Sequence, residues 1–295
     1  MVVDNSCPIL KSKTSIAQRL VNLAVSQIQN GNKKKMNLVW IEAAGCSGNI
    51  ISLLNGCAPN VGYFLTDMVN LKYNNSIMTA QGEEAQEELL AALNTEFILI
   101  VDGAVSTKDN GIYNIVGSYK GKEITGMEEV KRAAEKAKYI LTVGTCASYG
   151  GISAARPNPS ECISAADFIK REVNKEVIRV PGCPAHPDWV MGTVASLILF
   201  GEPELDEDRR PTVFYGVTIH DICPRRSYFE KRIFAKSVGE KECMFKLGCR
   251  GPVTKTDCPT RKWDDYVNWP IGDNTPCIGC AQKGFPDAME PFINI

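Results

Sequence analysis

A doubly wound α/β fold of flavodoxin-like form, followed by a small loop-rich domain, is what the sequence predicts. Three observations predict it. Short apolar runs alternate with helical stretches from residue 37 to about 205. A charged, proline-bearing stretch at 201–211 then interrupts the pattern. Beyond it helical periodicity fades, while cysteines and turn residues multiply. Alternating strands and helices argue for a parallel sheet covered on both faces. Cysteine-rich loops without apolar periodicity argue for a region organised by metal rather than by a large core.

The elements follow in order. Residues 14–30 read as one amphipathic helix, with Ile16, Leu20, Leu23, Ala24 and Ile28 on one face. Thr14 or Ser15 is placed to cap it and Gly31 to end it. The basic run Lys33-Lys34-Lys35 reads as a solvated linker. Strands are expected at 38–41, 97–101, 139–143 and 177–180, and helices at 82–94, 127–137, 164–173 and 188–200. The division expected is 1–36 as a helical extension, 37–205 as the α/β domain and 206–295 as the loop-rich domain.

With 295 residues, 44% hydrophobic and 23% charged, the chain can bury a core without staples. A net charge of −1 gives no sign of nucleic-acid binding. No apolar run is long enough to span a bilayer. The twelve cysteines are the outlier. Residues 1–13 show neither a secretory h-region nor a twin-arginine pair. A reducing cytoplasm is therefore expected, with membrane association only through partners, and there clustered cysteines usually mean metal.

Cys46, Cys146 and Cys183 each follow a predicted strand, in Gly45-Cys46-Ser47-Gly48-Asn49, Gly144-Thr145-Cys146-Ala147 and Pro181-Gly182-Cys183-Pro184. Ligands bind at that edge of open α/β sheets. The glycines let backbone N–H groups approach a bulky ligand. In the second region the ligand types run His220, Cys223, Cys243, Cys249, Cys258, Cys277 and Cys280. His220-x-x-Cys223 and Cys277-x-x-Cys280 suit one metal centre each. Spacing alone does not separate zinc from iron–sulfur.

Together these segments resemble the small subunit of nickel–iron hydrogenases. The resemblance is carried by 40–48, 144–151 and 181–184, then by His220-Asp221-Ile222-Cys223-Pro224-Arg225-Arg226, 247–254, Asn268-Trp269-Pro270 and 276–280. It implies the electron-transfer half of an uptake-type hydrogenase, an H2:acceptor oxidoreductase, with three iron–sulfur clusters. A proximal cluster would use Cys46, Cys146 and Cys183. A medial one would use Cys258, Cys277 and Cys280, as [3Fe-4S] because Pro270 stands where a fourth cysteine would be. A distal [4Fe-4S] cluster would use His220, Cys223, Cys243 and Cys249. The family usually has Cys-x-x-Cys in the first loop, and here Asn49 takes the second place. That leaves the proximal cluster as [4Fe-4S] with an oxygen ligand, from Asn49 or elsewhere, or as [3Fe-4S], with Cys57 a remote substitute. Cys7, Cys57 and Cys162 have no assigned role. Trp269 is expected to shield the medial cluster.

The resemblance also implies partners: a large subunit that holds the Ni–Fe centre, a redox partner or quinone-linked acceptor, and a higher oligomer of heterodimers. No catalytic residue is expected in this chain, which lacks the paired Cys-x-x-Cys motifs that hold nickel and iron. Two competing readings are a hydrogen-sensing complex of the same architecture and a zinc-stabilised binding module.

Overall fold

The computed structural model describes residues 15–264 and 266–289, so Cys7 lies outside the described residues. Helix α1 (Ile16–Gln29) starts where the Ser15 hydroxyl accepts the Gln18 N–H at 3.1 Å. Its buried stripe is Ala17, Val21, Ala24 and Val25, whereas Ile16 and Leu23 are exposed. This rotates the expected face by about one residue. Small residues win because α1 lies close on a later helix, where a Cβ at Gly192 would sit 3.3 Å from that of Ala17.

Five parallel strands form the sheet: β1 (Met36–Glu42), β2 (Val69–Asn74), β3 (Phe97–Asp102), β4 (Tyr139–Val143) and β5 (Ile178–Val180). Their spatial order is 2-1-3-4-5, the flavodoxin-like order, with its topological switch between β1 and β3. Strand β2 was not among the expected strands. It lies at the sheet edge and reads Val-Asn-Leu-Lys-Tyr-Asn, with exposed Asn70 and Lys72 interrupting the apolar signal. The central strands are legible because both of their faces are covered. Leu38, Val39, Trp40 and Ile41 are all at most 1% exposed, each contributing about 1.5–3 kcal/mol by burial.

Alternate side chains feed two layers. Leu38, Trp40, Ile98, Ile100, Leu141 and Val143 face α1, α2 (Gly48–Leu54) and the long helix between Pro187 and Phe200. Val39, Ile41, Leu99, Val101 and Ile140 face α3 (Gly82–Ala92), α4 (Gly126–Lys136) and α6 (Ala165–Val173). A short helix, α5 (Gly144–Tyr149), carries Cys146, and the long helix is α7 (Pro187–Phe200). Helix α7 is buried from Pro187 to Leu199, so it runs through the interior.

After Gly201 no helix among the described residues exceeds five residues. Turns dominate, as expected. This region does not build a separate core. Phe214, Tyr215, Ile219, Cys258, Trp269, Ile271 and Cys277 join the same apolar cluster as α1 and α7.

Candidate metal centres

The first group lies at the carboxyl edge of the sheet. Cys46 follows β1, Cys146 sits on α5 directly after β4, and Cys183 follows β5. Cys46 and Cys146 lie near enough to Cys183 to disfavour its thiolate, and burial does so more strongly, pushing its thiol up to about 12. Glycine opens the space. Gly151 has φ +50°, and a Cβ there would lie 2.9 Å from the Cys146 sulfur.

Asn49 is not pointed at this group as a spare donor. Its Nδ2 donates to Asp102 Oδ1 at 2.7 Å, and its Oδ1 accepts the Ala185 N–H at 2.7 Å. Gly144, at φ +83°, makes room for it, since a Cβ there would come within 2.3 Å of Nδ2. Asn49 therefore clips together the loops after β1, β3 and β5. Asp102 is buried, and its Oδ2 has no hydrogen-bond partner. Burial, eased by the bond from Asn49, lifts its carboxyl to about 7.

The second group lies in the loop-rich region. Cys258 and Cys277 are buried, and Cys280 is close enough to raise the pKa of both. Burial raises all three thiols, Cys258 to about 12. Trp269 is buried in the same apolar cluster. Cys280 also lies close to the first group, near enough to raise the Cys183 thiol. Thr145 adds a second link. Its hydroxyl donates to the Cys280 carbonyl and accepts the Gly182 N–H at 3.0 Å.

In the third group, His220, Cys223, Cys243 and Cys249 line one hollow together with Arg225 and Phe245. Phe229 stands edge-on to the His220 ring, centroids 4.6 Å apart. The Arg225 guanidinium donates to the carbonyls of Glu240 and Glu242 at 3.2 Å each, fixing the loop that carries Cys243.

One local device recurs across the groups. The N–H two residues after a cysteine turns back to its sulfur. Gly48 does so to Cys46, Arg225 to Cys223 and Gly279 to Cys277, each at 3.4 Å. Thr256 adds a hydroxyl donor to Cys258 at 3.2 Å. Such donors stabilise the thiolate and help set a cluster's potential. A buried thiol whose pKa is raised ionises only when a metal takes the charge. The donor set thus fits iron–sulfur chemistry, with three thiols in the first and second groups and three thiols plus an imidazole in the third. Among the described residues, no three of His, Cys, Asp and Glu converge closely enough for a single ion.

Cysteines without an assigned role lie elsewhere. The Cys162 sulfur is 3.4 Å from Ser160 Oγ, on a two-stranded ribbon. Cys57 pairs through backbone with Asn60. His186 caps α7. Its Nδ1 accepts the Asp188 N–H at 3.1 Å and its Nε2 donates to the Lys262 carbonyl at 2.8 Å. Burial depresses it to about 3, so it stays neutral. A feature absent from the expectations is the buried hub at Asp188, which receives Arg261, Tyr266 at 3.0 Å and Ser15 at 3.2 Å. Its members are too far apart in sequence for any spacing signal.

Comparison with known proteins points to one family. A family model for the C-terminal part of the NiFe/NiFeSe hydrogenase small subunit matches residues 215–293. One described as NADH ubiquinone oxidoreductase, 20 Kd subunit, matches 46–197. The periplasmic [NiFeSe] hydrogenase small subunit of Desulfomicrobium baculatum is 38% identical over 275 residues, covering 88% of this chain and 87% of that protein. The quinone-reactive Ni/Fe-hydrogenase small chain of Wolinella succinogenes is 34% identical, covering 88% and 73%. A crystal structure of the reduced, active Ni-Fe-Se hydrogenase from Desulfomicrobium baculatum aligns with a TM-score of 0.84 at 38% identity, over 88% of this chain and 98% of that one. The cytoplasmic location expected from cysteine usage is overturned, because matching relatives are periplasmic by name. The physical reason is that a thiolate held by iron is withdrawn from disulfide chemistry, so its presence does not report the compartment.

Proposed function

The chain belongs to the small-subunit family of nickel–iron hydrogenases, and from that premise we propose how its ligand residues divide among three iron–sulfur clusters. Its function is electron transfer from H2 oxidation at the Ni–Fe site of a large subunit to an external acceptor. The proximal cluster takes Cys46, Cys146 and Cys183. The medial takes Cys258, Cys277 and Cys280. The distal takes His220, Cys223, Cys243 and Cys249. The medial cluster would be [3Fe-4S], because Pro270 takes the place in the motif of a fourth cysteine, and the distal would be [4Fe-4S]. The proximal cluster has three protein thiolates, and [3Fe-4S] is the form that needs no further ligand. The acceptor is a quinone-linked or protein redox partner, and residues 37–205 and 206–295 are the two cluster-bearing domains.

When bound, the clusters supply one-electron carriers between the large subunit and the surface. This chain's residues hold them and set their environment. The N–H donors at Gly48, Arg225 and Gly279 draw charge from the sulfurs they face. His220, neutral where a thiolate would be charged, raises the outer potential. The Thr145 hydroxyl, bonded to both the Cys280 carbonyl and the Gly182 N–H, connects the first two ligand sets. Exposed Cys46, Ile51 and Leu54 offer the large subunit an apolar face beside the proximal site.

The observation that carries this division is the placing of Cys46, Cys146 and Cys183 at the carboxyl edge of the sheet, with Asn49 engaged elsewhere. The test is EPR with iron and sulfide counts on the complex. The division requires about ten small-subunit irons with two [3Fe-4S] signals. A count near eight refutes it.

A further inference from the structure

The surface around the distal site carries a charge that the rest of the chain does not. Between residues 221 and 250 there are eight Lys and Arg against four Asp and Glu, a net of +4. The whole chain has a net of −1, so the remainder carries −5. Much of the positive charge is uncompensated locally. Lys231, Arg232, Lys236, Lys241 and Lys246 are exposed. None of the five forms an ion pair within 4 Å among the described residues, and the Glu240 carboxylate reaches Lys236 only at its backbone N–H, at 2.7 Å. Arg226, by contrast, is paired with Asp221 and Glu230.

This charge surrounds an apolar centre that leads to the distal ligand. Phe229 packs on His220, and Phe245 on Phe229, with centroids 5.3 Å apart. The Lys246 ammonium lies 5.0 Å over Phe234, which is itself edge-on to Phe229. Ile233, Val238 and Phe245 are exposed at 43%, 51% and 46%. Exposed apolar residues rimmed by charge of one sign are the anatomy of a transient, electrostatically steered interface.

We infer that this face docks an acidic redox protein, an electron acceptor whose carboxylate-rich rim surrounds its own cofactor edge. The inference rests on the distal assignment proposed above. Each acceptor takes one electron, so one H2 reduces two acceptor molecules and its two protons leave from the large subunit's site. The sign of the patch decides the partner. A basic protein would be repelled, and the −5 elsewhere would steer it to other faces.

The test uses the purified complex under H2, with horse-heart cytochrome c, which is basic, and its fully succinylated form, which is acidic. Both accept one electron per haem. At roughly 10 mM salt the succinylated form should be reduced at least about 10-fold faster, and the advantage should collapse by roughly 200 mM salt. Charge reversal by Lys231→Glu, Arg232→Glu and Lys236→Glu together should invert the preference, with the distal EPR signal retained. Equal rates, or faster reduction of the basic form, would overturn the docking proposal while a small neutral quinone is still reduced. Salt-sensitive binding to phosphatidylserine vesicles with no cytochrome preference would also overturn it, in favour of a membrane surface. Failure to reduce even the quinone would instead overturn the electron-transfer reading beneath it.

Discussion

Replacing Asn49 by alanine tests whether this side chain is a clip rather than a ligand. Two bonds vanish: Nδ2 to Asp102 Oδ1 and the Ala185 N–H to Oδ1, both 2.7 Å. Asp102 is 3% exposed and Ala185 1%, so water does not readily replace what is lost. Each group left unpaired costs about 1–3 kcal/mol, giving about 4 kcal/mol together. The other oxygen of Asp102 already lacks a partner, which places the carboxylate's loss toward the upper end. With a urea slope of about 2–3 kcal/mol/M, the unfolding midpoint should fall by about 1.5 M. The assay is urea unfolding of the complex at pH 7.5, read by fluorescence of buried Trp40 and Trp189 and by cluster absorbance. A midpoint lowered by less than about 0.3 M would refute the clip. Asn49→Cys supplies the complementary reading. It should lose comparable stability, and a variant with unchanged stability but an altered proximal EPR signal would show that position 49 faces the cluster instead.

Further outcomes follow from other contacts. Thr145→Val leaves the Cys280 carbonyl and the Gly182 N–H without their shared hydroxyl; the medial EPR line should broaden and its potential shift, with Thr145→Ser restoring both. Asp188→Ala removes one of the two carboxylates on the buried Arg261 guanidinium, Asp257 keeping the other, and frees Ser15 and Tyr266; it should cost about 1–3 kcal/mol in the same urea assay. Asp102 has a folded value of about 7 against an ordinary 3.8; its contribution is complete below about pH 4 and is lost as pH rises through 7. Relative to the parent, Asp102→Asn should therefore gain about 1.4 kcal/mol per pH unit between those limits and level off above, measured as urea midpoints across pH.

The central strands and all four long helices after β1 were legible because burial writes itself into runs such as Phe97-Ile98-Leu99-Ile100-Val101 and into the helical stretches between them. Strand β2 was not, since an edge strand pairs on one side only and tolerates Asn70 and Lys72. The candidate ligands were legible because thiols and imidazole are the soft donors that metals select. The role of Asn49 was not. Its residue type announces a polar atom but not the direction in which it points, and the partners that hold it, Asp102 and Ala185, come from strand ends 53 and 136 residues away. The same holds for Asp188, whose partners Ser15, Arg261 and Tyr266 lie near opposite ends of the chain. The apolar face of α1 was misjudged by one residue because size, not hydropathy alone, decides how near two helices lie.

That attachment of α1 has a consequence for the order of events during synthesis. Ser15 and Asp188 are 173 residues apart, and Arg261 and Tyr266 come later still. At about 5–20 residues per second, a ribosome needs roughly 10–35 s to deliver Asp188 after Ser15 has emerged. For that interval the helix has no α7 to rest on. Its buried stripe, Ala17, Val21, Ala24 and Val25, stays open to solvent until α7 follows the last strand out of the ribosome.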